Sequence, residues 1–293
     1  MQGVKKIKEK PAGALSDDEI KFISDFVYKR TGIVLGKNKR YLIEGRLHSV
    51  ACICGISKLA DINQLLADHN PQVETLVIDA LTTHETSWFR DQKPFDALAK
   101  IILPAIAQQK KSRVLQVWSA ACSTGQEPYS IAMLILESRL YSNGLVRIFA
   151  TDISTQALEH AREGRYSQYQ ISRGLPVKYL IKYFEQEGHN WKIVPEVKKM
   201  VSFRKSSLQN AARELGVFDL VFCRNVLIYF DMLTKKKILS QISQVLAPHG
   251  LLALGGSETT LAMNTAFKRI RLAGATFFAK AESSDIWTKM KSK

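Results

Sequence analysis

No apolar run in these 293 residues approaches the ~18–20 needed to cross a bilayer as a helix. The lysine-rich start is followed by no apolar stretch, so it does not read as a secretory leader. Cysteine is scarce, and Cys52, Cys54, Cys122 and Cys223 show no zinc spacing. Cys52-Ile53-Cys54 is too tight for a metal knuckle, and the thiols read as the reduced cysteines of a cytoplasmic protein. Internal repeats and low-complexity segments are absent. Acid is in deficit, with 27 Asp and Glu against 42 Lys and Arg, a net charge of +15. This balance favours an acidic partner, whether nucleic acid, anionic lipid or protein, and does not choose among them. The basic runs at Lys5–Lys10, Lys37–Arg40, Lys235–Lys237 and Lys268–Arg271 each read equally well as a solvated face.

The chain also lacks a G-x-G-x-x-G, although it carries the layout in which that fingerprint occurs. Val114–Ser130 reads V-L-Q-V-W-S-A-A-C-S-T-G-Q-E-P-Y-S. An apolar strand ends at Trp118, small residues follow to Gly125, and Glu127-Pro128 open a helix. That is the strand, turn and helix start of a cofactor crevice in a doubly wound α/β fold.

With 46% hydrophobic residues the chain can bury a substantial core in one large domain or two. Residues 1–15 read as a tail. Ser16-Asp17-Asp18-Glu19 is a capping box, and its helix carries Ile20, Ile23, Phe26 and Val27 on one face before Thr31-Gly32 stops it. Further helices are expected over Asn38–Cys54, with Leu42, Leu47, Val50 and Ile53 inward, from near Ser57, and from Asn70-Pro71. Residues 16–80 are thus a helical unit and 81–93 a linker. From Pro94 strands and helices alternate. The helix Pro94–Gln108 precedes strands at Val114–Trp118, Val146–Thr151, Val217–Phe222 and Leu251–Leu254. Helices follow Glu127, span Ser154–Glu163 and span Thr234–Leu246. Residues 172–204 break the alternation and read as a small inserted antiparallel lobe built from Tyr179–Phe184, Trp191–Val194 and Val201–Phe203. Phe267–Leu272 and Thr276–Lys280 form a terminal hairpin, and 283–293 a second tail. A sheet ending in a hairpin suits a class I methyltransferase better than a dehydrogenase.

Ligands in such sheets bind beyond the carboxyl ends of the strands. Four ends are readable: Ser119–Glu127, Asp152, Cys223–Tyr229 and Gly255–Glu258. Asp152 stands where an acid accepts bonds from ribose hydroxyls, or where it caps the following helix. Glu127 complements a helix dipole, or faces a cationic ligand. A carboxylate there suits a sulfonium and disfavours a pyrophosphate, which favours S-adenosylmethionine over NAD. Arg224-Asn225 offers donors at the crevice mouth, and Tyr229 is either a core tyrosine or part of that mouth. Thr82–Arg90 lies between the helical unit and the α/β domain, where pockets form. Its Arg90 is suited to a bidentate grip on a carboxylate, or to a surface ion pair.

Thr83–Arg90, Ser119–Ser130, Thr151-Asp152 and Phe222–Phe230, in this order, resemble the segments T-N-x-T-x-F-F-R, S-A-x-x-S-T-G-E-E-P-Y-S, T-D and F-C-R-N-V-x-I-Y-F of the CheR family of chemotaxis-receptor methyltransferases. The resemblance runs from about residue 16 to 280. It implies a class I S-adenosylmethionine-dependent methyltransferase domain over 94–282, with the inserted β-subdomain and a receptor-facing N-terminal helical domain. It further implies methyl-ester formation on glutamates of chemoreceptor cytoplasmic helices, with S-adenosyl-L-homocysteine as product. Carried over by position, the cofactor contacts are His84, Thr86, Arg90, Glu127, Asp152, Ser207, Leu208, Arg224 and Asn225. Arg90 and Tyr229 lie nearest the transferred methyl.

This chain departs from the family pattern in places. His84 and Ser207 stand where Asn is common, Gln126 replaces a common Glu, and His48-Ser49-Val50 replace frequent basic residues. The lobe is short at Glu185–Asn190, so no binding of a receptor's C-terminal pentapeptide tether is expected. Micromolar binding of such a peptide would refute this. A monomer that neither enters a membrane nor binds nucleic acid is expected. Two other readings compete: a cofactor-sensing or receptor-binding adapter that has lost activity, and a nucleic-acid methyltransferase. The second is disfavoured by the lack of an N-P-P-Y or D-P-P-Y segment and of a Pro-Cys nucleophile.

Overall fold

The computed structural model describes residues 13–36, 39–109, 114–142, 144–210, 216–260, 266–283 and 287. The Lys5–Lys10 run, Lys37 and most of both expected tails lie outside these. The chain divides into two compact units, at Thr83 and His84.

The first unit is helical: α1 (Asp17–Thr31), α2 (Arg40–Cys54), α3 (Asp61–Ala67) and α4 (Pro71–Leu81). Ser16 and Glu19 close the expected capping box on α1, and Gly32, at φ 79°, ends that helix. Asn70 caps α4, accepting from the backbone of Gln72 and Val73. Ile23, Val27, Leu47, Val50, Ile62, Leu66 and Val77 fill the core. The inward face of α2 is rotated from the expected one: Ile43 and Ala51 are buried, Leu42 is half-buried, and Ile53 is exposed. The third helix starts at Asp61 rather than near Ser57. Arg46 donates to the carbonyls of Ala80 and Thr82, satisfying the carboxyl end of α4.

The second unit begins with a helical stretch interrupted by a π-turn: α5 (Lys93–Ala97), wide turns over Leu98–Ile102, then α6 (Leu103–Gln109). It continues through β1 (Val114–Ala120), α7 (Gln126–Ser138), β2 (Leu145–Asp152), α8 (Thr155–Glu163), β3 (Arg165–Ser167), α9 (Gln168–Ser172), α10 (Val177–Tyr183), β4 (Phe184–Glu187), β5 (Asn190–Ile193), α11 (Pro195–Lys198) and β6 (Val201–Lys205). The chain then forms β7 (Phe218–Cys223), α12 (Met232–Val245), β8 (Leu246–Leu254), β9 (Phe267–Leu272) and β10 (Ala275–Lys280). The main sheet has the order β6-β2-β1-β7-β8-β10-β9. Its first five strands are parallel, and the β9–β10 hairpin closes it antiparallel. All six residues of β7 are buried, as a central strand covered on both faces requires.

The inserted lobe differs from the expected one. Its sheet is β3-β5-β4, so it draws on Arg165–Ser167, and Tyr179–Tyr183 is helical. Val201–Lys205 is not in the lobe but forms an edge of the main sheet, parallel to β2. Trp287, within the expected second tail, is buried and donates from Nε1 to the carbonyl of His249 at 3.0 Å.

Candidate active site

The strand order turns over between β1 and β7, and chain segments from both gather beyond their carboxyl ends. Six of the nine non-glycine residues with positive φ among the described residues sit there: Phe89, Asp91, Gln92, Ala121, Ser123 and Asn225. Each left-handed residue costs roughly 1–2 kcal/mol, and such strain persists only where the surroundings over-determine the conformation. Aromatic packing does so around Arg90. Trp88 stands edge-on to Tyr166 at 4.9 Å and to Phe184 at 5.3 Å, and Phe89 stacks on Tyr179 at 4.9 Å. The Trp88 carbonyl leaves no space for a Cβ at residue 174, where φ is also positive, so Gly174 is required. At Gly125, with φ 94°, an added Cβ would come within 2.9 Å of the Ala161 Cβ. The turn after β1 therefore lies tight against α8.

Arg224 lies at the centre of the charged cluster. It is turned inward rather than displayed at the crevice mouth, and its side chain is 1% exposed. Nη1 donates to Glu127 Oε2 at 3.2 Å, and Nη2 donates to Asp91 Oδ2 at 2.7 Å and to the Arg90 carbonyl at 2.8 Å. The guanidinium also sits 5.6 Å from the centre of the Phe95 ring. Glu127 accepts a second bond from Ser119 Oγ at 2.8 Å. Burial raises the Glu127 carboxyl above its ordinary range, and Arg224 and Ser119 offset part of that rise. Arg90 also lowers it from nearby. Arg90 is half-buried, and its guanidinium donates only to the Glu85 carbonyl, at 3.1 Å, among the described residues.

Asp152 ends β2 and is buried. It does not cap α8; Ser154 does, accepting from Ala157 N at 3.0 Å. Asp152 instead ties three segments together. Oδ2 accepts from Ser123 N at 2.8 Å and Oδ1 from Ser154 N at 2.9 Å, while its carbonyl accepts from Ser206 N at 2.9 Å. Burial pushes its carboxyl upward, opposed by these backbone donors. The Ser206 bond places half-buried Ser207 and buried Leu208 beside the end of β2. The carbonyl of His84 accepts from Ser123 Oγ at 3.1 Å, bringing the other wall to the same turn. His84 and Thr86 are half-buried.

Glu258 was not singled out by the sequence reading, although the strand end Gly255–Glu258 was. Its Oε1 accepts from the backbone of Val226 at 2.9 Å and Leu227 at 2.7 Å. Its Oε2 accepts from Asn225 at 2.8 Å and Gly255 at 2.6 Å. One carboxylate thus clasps the loop from Arg224 into the 3₁₀ turn Leu227–Tyr229. Tyr229, half-buried in that turn, makes no side-chain hydrogen bond among the described residues. Asp91, Ser119 and Ser123 were also unassigned from sequence. Asp91 adjoins Arg90, and the two serines lie in the recognised turn, so position was the available signal.

The crevice fits a cationic nucleoside cofactor. Two carboxylates, the buried Asp152 and the half-buried Glu127, flank a turn of small residues, and Glu127 is incompletely compensated for its loss of water. The sheet order, hairpin closure and crevice define a class I S-adenosylmethionine-dependent methyltransferase. Residues 18–82 match the family model described as "CheR methyltransferase, all-alpha domain", and residues 84–275 match "CheR methyltransferase, SAM binding domain". The chain belongs to the CheR methyltransferase family, and S-adenosylmethionine is its cofactor. It is 41% identical to a chemotaxis protein methyltransferase of Vibrio parahaemolyticus, over 88% of this chain and 94% of that one. It is 42% identical to chemotaxis protein methyltransferase 1 of Pseudomonas aeruginosa, over 80% and 87% respectively. It is 35% identical to the chemotaxis protein methyltransferase of Escherichia coli, over 91% and 92%.

Proposed function

We propose that this protein methylates glutamate side-chain carboxylates on the cytoplasmic helices of chemoreceptors, giving methyl esters. One observation carries the choice of acceptor. Of the two arginines at the crevice, Arg224 is committed to Glu127 and Asp91, whereas among the described residues Arg90 donates only to a backbone carbonyl. Arg90 is thus the cation left to orient an anionic acceptor. The relatives' names, chemotaxis protein methyltransferases, support a chemoreceptor as its source.

Bound, S-adenosylmethionine supplies an electrophilic methyl on a sulfonium, and its transfer to a carboxylate oxygen neutralises both charges. A glutamate carboxyl has a reference pKa near ~4.3, so at neutral pH it is already the nucleophile and no general base is needed. The contribution of the protein is orientation and exclusion of water. In this reading Arg90 aligns the carboxylate through one or two hydrogen bonds, and Tyr229 donates or packs beside it. A loose rather than tight Arg90 grip avoids over-stabilising the reactant carboxylate, whose charge is consumed in the transition state. Glu127 and Asp152 hold the cofactor, and Arg224 fixes Glu127.

The test is methyl transfer from labelled cofactor to receptor cytoplasmic fragments, read as base-labile label, with RNA and DNA as the other arms. Arg90→Ala is expected to lower kcat/KM about 100-fold by misplacing the acceptor, and Tyr229→Phe about tenfold. Normal turnover in both variants would refute the assignment, and label in nucleic acid alone would refute the acceptor.

A further inference from the structure

A second concavity of about 440 Å³ opens beyond the carboxyl ends of β7 and β8, on the side away from β1. That volume is typical of a ligand site (~300–1,000 Å³). Pro94, Leu254, Ala275 and Phe278 contribute apolar wall, and the strand end at Gly255–Thr259 forms one rim. Five charged residues line it: Asp91, Lys93, Arg224, Glu258 and Arg269. Three of them are already engaged. Asp91 and Arg224 pair with each other, and Glu258 is saturated by four backbone N–H groups. The other two, Lys93 and Arg269, are exposed and make no ion pair among the described residues. The hairpin turn lies beside one of them: Lys93 Cδ is 3.9 Å from the point a Cβ on Gly274 would occupy, an ordinary contact distance, and it is the positive φ of 78° that favours glycine there.

We propose that this cavity is an acceptor-side subsite in which Lys93 and Arg269 receive a second carboxylate of the methyl-accepting segment, one flanking the glutamate that is modified. The proposal rests on the carboxylate-acceptor reading above. Three features carry it. The cavity shares Asp91 and Arg224 with the cofactor crevice, and Asp91 directly follows Arg90, so both sites lie within reach of one bound segment. The uncommitted charge in it is entirely cationic, which selects an anion. The apolar wall beside those cations suits the methylene stem of an acidic side chain better than a fully hydrated ion. Binding a neighbouring carboxylate outside the reaction centre holds the acceptor without stabilising the reacting one, so it acts on KM rather than on kcat.

The experiment uses the full chain, labelled S-adenosylmethionine and a receptor cytoplasmic fragment. The charge-reversal pair Lys93→Glu with Arg269→Glu, and the neutral pair Lys93→Met with Arg269→Met, are compared with the unaltered protein. The expected result is a rise in KM for the fragment of about tenfold or more for reversal and less for neutralisation. kcat and the calorimetric affinity for S-adenosylhomocysteine are expected to hold. A fragment with its flanking acids changed to Lys should recover KM with the reversed enzyme. Unchanged KM in both pairs overturns the subsite. A fall in kcat at constant KM also overturns it, because it would put these cations on the reacting carboxylate. Absence of any transfer by the unaltered protein instead overturns the acceptor reading beneath it.

Discussion

Two carboxylates beyond strands that flank β7 are bonded in opposite ways. Glu258, beyond β8, accepts four backbone N–H bonds of 2.6–2.9 Å. Glu127, beyond β1, accepts one serine hydroxyl and one guanidinium, and burial leaves its carboxyl raised. The first spends its charge on backbone geometry and has no lone-pair direction left for a ligand. The second is under-compensated for its desolvation, so an added cation lowers its energy. A saturated acid builds the wall, and the unsaturated one is the carboxylate proposed to face the cofactor.

Removing Glu258 gives the largest expected effect. Glu258→Ala strands four buried or half-buried donors, at ~1–3 kcal/mol for each one left unpaired. Partial access to water brings the loss of stability to roughly 3–5 kcal/mol, measured as a fall in urea midpoint at constant slope. Glu258→Gln keeps one acceptor oxygen and turns an NH₂ towards the remaining donors, so it should lose about half as much. The Arg224–Tyr229 loop loosens with it, lowering kcat. A glutamine variant matching the unaltered protein in stability and kcat would show that the four bonds do not hold the loop.

Changing Glu127 tests the other half of the comparison, with a smaller effect. Glu127→Gln should weaken S-adenosylmethionine binding about 10–100-fold, the value of one desolvated charge contact. Its pH dependence runs opposite to that of a salt-bridged carboxylate. Because the folded state raises this pKa above the usual 4.5, the folded protein takes up the proton first on acidification. The contribution of this group to stability is therefore present below 4.5 and is lost as pH rises through the raised folded value. Cofactor affinity has the reverse sign: a cation favours the ionised form, so affinity falls as pH drops through that window. Calorimetry across pH 5–8 should show this slope in the unaltered protein and a flatter one in Glu127→Gln. Equal slopes would place the titrating group elsewhere, with Asp152, whose carboxyl is also raised, as the first candidate.

The same contrast explains how much was legible in the sequence. Local rules read well. Ser16 with Glu19, Asn70 before Pro71, and Ala273-Gly274 between two β runs each act within a few residues, and each formed the expected cap or turn. The small residues from Ser119 to Gly125 marked the crevice because close backbone approach is written in residue size. Long-range bonds were not legible. The contacts of Arg224 with Glu127 and Asp91 span 97 and 133 residues, and the Glu258 clasp spans 31–33. Nothing in F-C-R-N-V tells an inward arginine from one at a crevice mouth. Val201–Phe203 read as lobe because a short apolar run carries no mark of its partner, and that partner proved to be β2. On α2, Ile43 and Ile53 fit a helical stripe about equally well, and packing against the other helices selected Ile43.

The smallest expected effect is at the position that departs most visibly from the family pattern. His84 contributes its backbone carbonyl to Ser123 Oγ at 3.1 Å, and any residue there supplies that carbonyl. Its side chain also helps to lower the Asp152 carboxyl, a lesser influence than burial or the Ser154 and Ser123 backbone donors. His84→Asn keeps the backbone carbonyl and should therefore leave cofactor affinity within about twofold at pH 7.5, less than ~0.5 kcal/mol, as read by calorimetry. A tenfold loss at pH 7.5 would mean that the ring itself bonds the cofactor. The unsaturated side of the crevice would then extend beyond Glu127 to the wall carrying His84.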